Sequence, residues 1–124
     1  PSTAAAPGGA APRTQTSAHA HNNANTLLGY FLQRSLVRET GLTDRGLRRA
    51  RFLVLRNAPC PAALVECGFV SNRDEEEKLL TADFRAAIAR AIARGVLDYA
   101  AAIRNAKELQ QKAREAAAAG GGGR

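Results

Sequence analysis

Pro61-Ala62-Ala63-Leu64-Val65-Glu66-Cys67-Gly68-Phe69-Val70-Ser71-Asn72 decides how the rest of the chain is read. A short apolar run ends in a carboxylate, a glycine follows, and a helix-start signal comes next. The pattern predicts a buried strand that carries one acid to its C-terminal edge. Ligand sites of open α/β sheets gather at that edge. Alternation puts Leu64 and Glu66 on one face, and Val65 and Cys67 on the other. Glu66 is then expected beside apolar neighbours, where low dielectric raises a carboxyl pKa and suits it to general acid/base work. A strand-end Glu paired with an arginine fits the same pattern.

Upstream of this stretch, Arg51 to Arg56 encloses Phe52, Leu53, Val54 and Leu55, an apolar run of strand length. Asn57 to Pro61, with Pro59, reads as a loop. It is too short for a parallel crossover, so the two runs are antiparallel neighbours or not adjacent. Both are nearly continuous in apolar residues, as in sheets covered on both faces. Thr43-Asp44-Arg45-Gly46 reads as a turn.

Before the turn, Leu28, Phe31, Leu32 and Leu36 recur at helical spacing, with Leu27 alongside. Asn25 or Thr26 can cap this helix, and Gly41 is its expected left-handed stop. It should cover one face of the sheet. After the central stretch, Ser71 with Asp74 or Asn72 with Glu75 resembles a capping box. Asp74, Glu75, Glu76 and Glu77 suit a helix N-terminus, where the macrodipole favours negative charge. A last helix begins near Phe84, with Phe84, Ile88, Ile92, Val96, Tyr99 and Ile103 as its apolar stripe.

The ends differ in composition. Residues 1 to 24 are rich in Pro, Ala, Gly, Ser and Thr and read as a linker or loop. His19 and His21 lie there without a carboxylate or thiol nearby, so a solvated loop is expected rather than a metal site. Residues 104 to 124 read as a solvated helical extension with a Gly-rich tail.

The 124 residues carry a net charge of +7 and no Met. Without Met, Pro1 is not a translation start, and the chain reads as a fragment or processed product. The charge suits an anionic partner. Arg45, Arg48, Arg49, Arg51 and Arg56 cluster, yet Phe52 is the one aromatic beside them, so nucleic acid is not expected. No apolar run reaches the roughly 18 residues that span a bilayer. Cys60 and Cys67 would lie about 23 Å apart on a straight strand at roughly 3.3 Å per residue. Two free thiols, packed as small apolar groups, are therefore expected.

Four features together resemble the zinc-dependent N-acetylmuramoyl-L-alanine amidases of the cell-wall hydrolase type, in the C-terminal half of their catalytic domain. They are the helix from Asn25 through Leu36, Asp44-Arg45-Gly46-Leu47 with Phe52 to Arg56, the Pro61 to Asn72 stretch, and the acidic cap with Leu79-Leu80 and the closing helix through Tyr99. The third is the most specific. The resemblance covers about residues 25 to 103.

It implies an α/β fold: part of a three-layer domain with a mostly parallel or mixed sheet flanked by helices, lacking its N-terminal strands. It implies hydrolysis of the amide between N-acetylmuramic acid and L-alanine in peptidoglycan, at the periplasmic or extracellular cell envelope. The family binds one zinc through His, Glu and His and uses a second Glu as acid/base. That last role falls on Glu66 alone. The zinc ligands are expected upstream, and neither His19 nor His21 takes that part. The chain by itself is therefore expected to lack zinc and activity, and to be poorly soluble or molten. The alternative is a non-catalytic basic module that grips an anionic polymer, either cell wall or nucleic acid.

Overall fold

The computed structural model describes residues 21–50, 52–56 and 58–120. Its elements are α1 (Asn22–Thr40), a 3₁₀ turn (Leu53–Leu55), α2 (Arg73–Leu80) and α3 (Ala82–Gly120). Among the described residues there is no strand, so the expected α/β sheet is not the fold. The two strand-like runs go different ways. Leu53 to Leu55 winds into the 3₁₀ turn, with Leu53 78% and Val54 71% exposed. Residues 61–69 stay irregular.

The physical reason is pairing. A strand persists when its backbone groups bond to a neighbour. No backbone–backbone hydrogen bond joins 52–56 to 61–69 among the described residues. β-propensity and an apolar run do not form a ladder alone.

With no sheet to cover, α1 packs on α3. The buried residues are Gly29, Leu32 and Ser35 on α1, and Ile88, Ala91 and Gly95 on α3. The α3 stripe thus differs from the expected one. Four residues turn the helix about 400°, so each i+4 step drifts about 40° around it. Val96 lies about 80° round from Ile88, and Gly95 only about 20°. Val96 is accordingly 45% exposed. The small side chains at Ala91 and Gly95 bring α1 close: a Cβ built on Gly95 would stand 2.9 Å from the Leu32 Cα and 3.0 Å from the Phe31 carbonyl oxygen.

The helix ends follow local chemistry. Gly41 has φ 67°, and its N–H donates to the Val37 carbonyl at 3.0 Å, a left-handed stop as expected. The start of α1 lies earlier than expected, at Asn22 with His21 in the cap position. His19 lies outside the described residues. Asn72 caps α2, its Oδ1 accepting from the Asp74 and Glu75 amides at 3.1 and 3.3 Å. Thr81 joins α2 to α3: its hydroxyl donates to the Lys78 carbonyl and accepts from the Phe84 amide. Arg85 donates to the Leu79 and Leu80 carbonyls at 2.9 and 2.7 Å, closing the end of α2. Beyond Ile103, α3 continues to Gly120 with every residue exposed.

Candidate functional site

Glu66 sits in the irregular segment between Pro61 and Phe69. The expected alternation survives there: Leu64 and Glu66 are exposed, Val65 and Cys67 half-buried. Glu66 is on the outer side, and the apolar, low-dielectric setting expected for it is absent. No salt bridge holds it among the described residues, so the arginine-paired alternative is not seen either. Cys60 and Cys67 are both free, as expected, but Cys60 is exposed rather than packed.

Two side chains tie this segment down, one at each end. Asn25 of α1 accepts a hydrogen bond from the Ala62 amide at 2.9 Å. Asn25 lies inside α1 rather than at its cap, and its side chain reaches a segment 37 residues away. At the other end, Glu75 Oε2 accepts from the Phe69 amide at 2.8 Å. Its Oε1 meets the Arg45 guanidinium at 2.6 Å. The same guanidinium lies 5.4 Å from the centre of the Phe69 ring, within cation–π range. Gly68 makes the approach possible. Its φ of 153° disfavours other residues, and a Cβ there would press within 3.3 Å of the Glu75 carboxylate.

These contacts lower the Glu75 pKa below its usual 4.5, chiefly through the Phe69 amide and then through Arg45. Asp44 is also lowered, by the Gln33 amide first and the Gly46 N–H second. Those two bonds are both 2.8 Å: the Gly46 bond closes a side-chain Asx turn, residues 43–46 forming no backbone-bonded turn, and the Gln33 bond fastens this loop to α1.

Sequence reading missed the clamps. It assigned Glu75 to a capping box and Asn25 to a cap, because both patterns are local. The partners Phe69, Arg45 and Ala62 become visible only once the helices place them. An isolated Gly inside the α3 pattern was the available signal for close packing at 95.

A separate groove of about 640 Å³ opens between α1 and the loops. Arg48, Arg49 and Arg56 line it, with Asn25 and Leu64 among the other walls; Glu66 does not. No three His, Cys, Asp or Glu side chains converge on a metal position among the described residues.

The model of the N-acetylmuramoyl-L-alanine amidase family matches residues 5–98. The chain belongs to that family. The match spans α1, the Pro61–Asn72 stretch, α2 and the packed part of α3. N-acetylmuramoyl-L-alanine amidase AmiA of Escherichia coli K12 is 47% identical over 58 residues, 47% of this chain and 20% of that protein. An uncharacterized cell wall amidase of Bacillus anthracis is 35% identical over 77 residues, 62% of this chain and 14% of that one. N-acetylmuramoyl-L-alanine amidase CwlM of Bacillus licheniformis is 38% identical over 66 residues, covering 53% and 26%. The amidase-family chain thus spans about a quarter or less of these curated relatives. No solved structure matches it. Its family membership rests on these matches, not on burial of Glu66. No helix among the described residues is long and apolar enough to cross a membrane.

Proposed function

We propose that this segment serves a peptidoglycan amidase that cleaves the amide between N-acetylmuramic acid and L-alanine, at the cell envelope. The observation that carries the reading is the family match over residues 5–98, which includes Glu66 in its Pro61–Asn72 setting. Glu66 is assigned the proton-transfer role: a carboxylate that accepts a proton from attacking water and returns one to the leaving amine. Its exposure leaves it open to a substrate, and the Asn25 and Glu75 clamps fix the segment that bears it.

The zinc implied by the resemblance is proposed to be held by residues other than those described, since no three ligands meet here. The test is Glu66→Gln in an active protein that carries this sequence. Release of stem peptide from purified peptidoglycan should stop while zinc content stays the same. Loss of zinc would make Glu66 a ligand, and retained turnover would remove its role.

A further inference from the structure

We propose that Arg45 is a positioning residue for Glu66, which it holds in place through Glu75 and Phe69. The inference rests on the acid/base role given to Glu66 above and adds to it a residue from another part of the chain.

Glu66 has no tie of its own. Residues 63–68 make neither a backbone–backbone hydrogen bond nor a salt bridge among the described residues. The stretch is anchored at its ends instead, at the Ala62 amide by Asn25 and at the Phe69 amide by Glu75. Phe69 is the nearer anchor, three residues from Glu66. Gly68 lies between them with φ 153°, a backbone conformation that other residues rarely take. A chain free to turn either way at Gly68 carries Glu66 only as steadily as Phe69 is held.

Arg45 steadies Phe69 in two ways. Its guanidinium meets Glu75 Oε1 at 2.6 Å, while Oε2 accepts from the Phe69 amide at 2.8 Å. The two oxygens are thus committed to different partners, and the carboxylate cannot rotate without breaking a charge-assisted bond. The same guanidinium lies 5.4 Å from the centre of the Phe69 ring. Asn72 is a poor substitute: its amide is 3.5 Å from Oε1, and its own oxygen caps α2. The neighbouring Asp44 is fastened to α1 by Gln33 at 2.8 Å. α1 therefore bears on both ends of the Glu66 stretch, at Ala62 through Asn25 and at Phe69 through the Asp44-Arg45 loop. With its side chain 56% exposed, Arg45 adds little to stability. Its effect should appear in the placement of Glu66 rather than in the melt.

The test is Arg45→Ala in an active protein that carries this sequence, with purified peptidoglycan as substrate. We expect kcat to fall about tenfold or more, because a displacement of roughly 1 Å at a reacting group can cost about a hundredfold. KM and Tm should stay close to the parent values, the mark of an interaction that matters in the transition state. Arg45→Lys keeps a charge for Glu75 without the planar fork and should recover part of the loss. Arg73→Ala breaks the exposed pair with Glu77 on the same helix and should leave kcat unchanged. Hydrogen exchange in Arg45→Ala should quicken over residues 63–69 and not over α1 or α3. The proposal is overturned by a parent-level kcat, by a rise in KM alone, by an equal fall from Arg73→Ala, or by Arg45→Lys no better than Arg45→Ala. Unchanged exchange at 63–69, or faster exchange across both helices, would overturn it too. Full activity of Arg45→Ala beside an inactive Glu66→Gln removes this inference alone; an active Glu66→Gln removes the acid/base reading beneath it as well.

Discussion

Gly95 on α3 meets the α1 backbone at Leu32, with 2.9 Å separating the Leu32 Cα from the place a Cβ would take. Backbone cannot step aside as a side chain can. Gly95→Ala gains about 1 kcal/mol of helix propensity, yet forces the two helices apart at their closest point, at an overpacking cost of roughly 1–3 kcal/mol. We expect a lower Tm by circular dichroism. Gly29→Ala is the contrast, because its Cβ would meet only the tip of the Leu47 side chain, which can rotate. It should be neutral or better. A Gly95→Ala protein as stable as Gly29→Ala would refute the close packing.

Ser35 is 3% exposed, and its hydroxyl has no partner among the described residues. A buried hydroxyl without a hydrogen bond costs free energy that alanine avoids. Ser35→Ala should raise stability by about 1 kcal/mol in urea denaturation. A loss of that size would mean the hydroxyl does have a partner.

The Glu75 clamp should weaken in acid. Its folded pKa lies below the ordinary 4.5, so the contribution is complete above 4.5 and disappears as pH falls below it through the folded value. Asp44 acts in the same direction. Hydrogen exchange at the Phe69 amide should therefore accelerate in acid beyond the intrinsic trend. Glu75→Gln should remove most of that excess at this amide. Equal excess in both proteins would show that the clamp does not depend on charge.

Glu66 makes no hydrogen bond through its side chain among the described residues and lies exposed. Glu66→Gln should leave stability within about 0.5 kcal/mol of the parent. A thermal melt then separates a catalytic loss from an unfolded variant. A large fall in Tm would reveal a structural partner for this carboxylate.

The buried apolar set is small: Leu32, Ile88 and Ala91 among the described residues, while Leu53, Val54, Leu64, Phe69 and Val70 are exposed. So little burial gives weak cooperativity, and exposed apolar groups attract one another. The isolated chain should bind a hydrophobic dye and melt broadly. A sharp, concentration-independent transition without dye binding would contradict this.

The parts legible beforehand were those written in neighbouring residues. Gly41 and Asn72 behave as read, because a cap closes within a few positions. The family was legible for a similar reason, through an unbroken stretch around Glu66. The sheet was misread because Phe52–Leu55 and Ala62–Cys67 carry strand composition without a paired neighbour. The exposed position of Glu66 follows from that same missing partner.

Sequence by itself determined the Gly41 stop, the Asn72 cap, the basic charge and the kinship with the amidases. The stop and the cap depend on groups acting on backbone a turn or less away, and the charge is a sum over residues. Tertiary structure decided that α1 lies on α3 through Gly95, that Asn25 and Glu75 hold the Glu66 segment, and that three arginines share one groove. Each of these joins residues far apart in the chain, and only packing selects which distant groups meet.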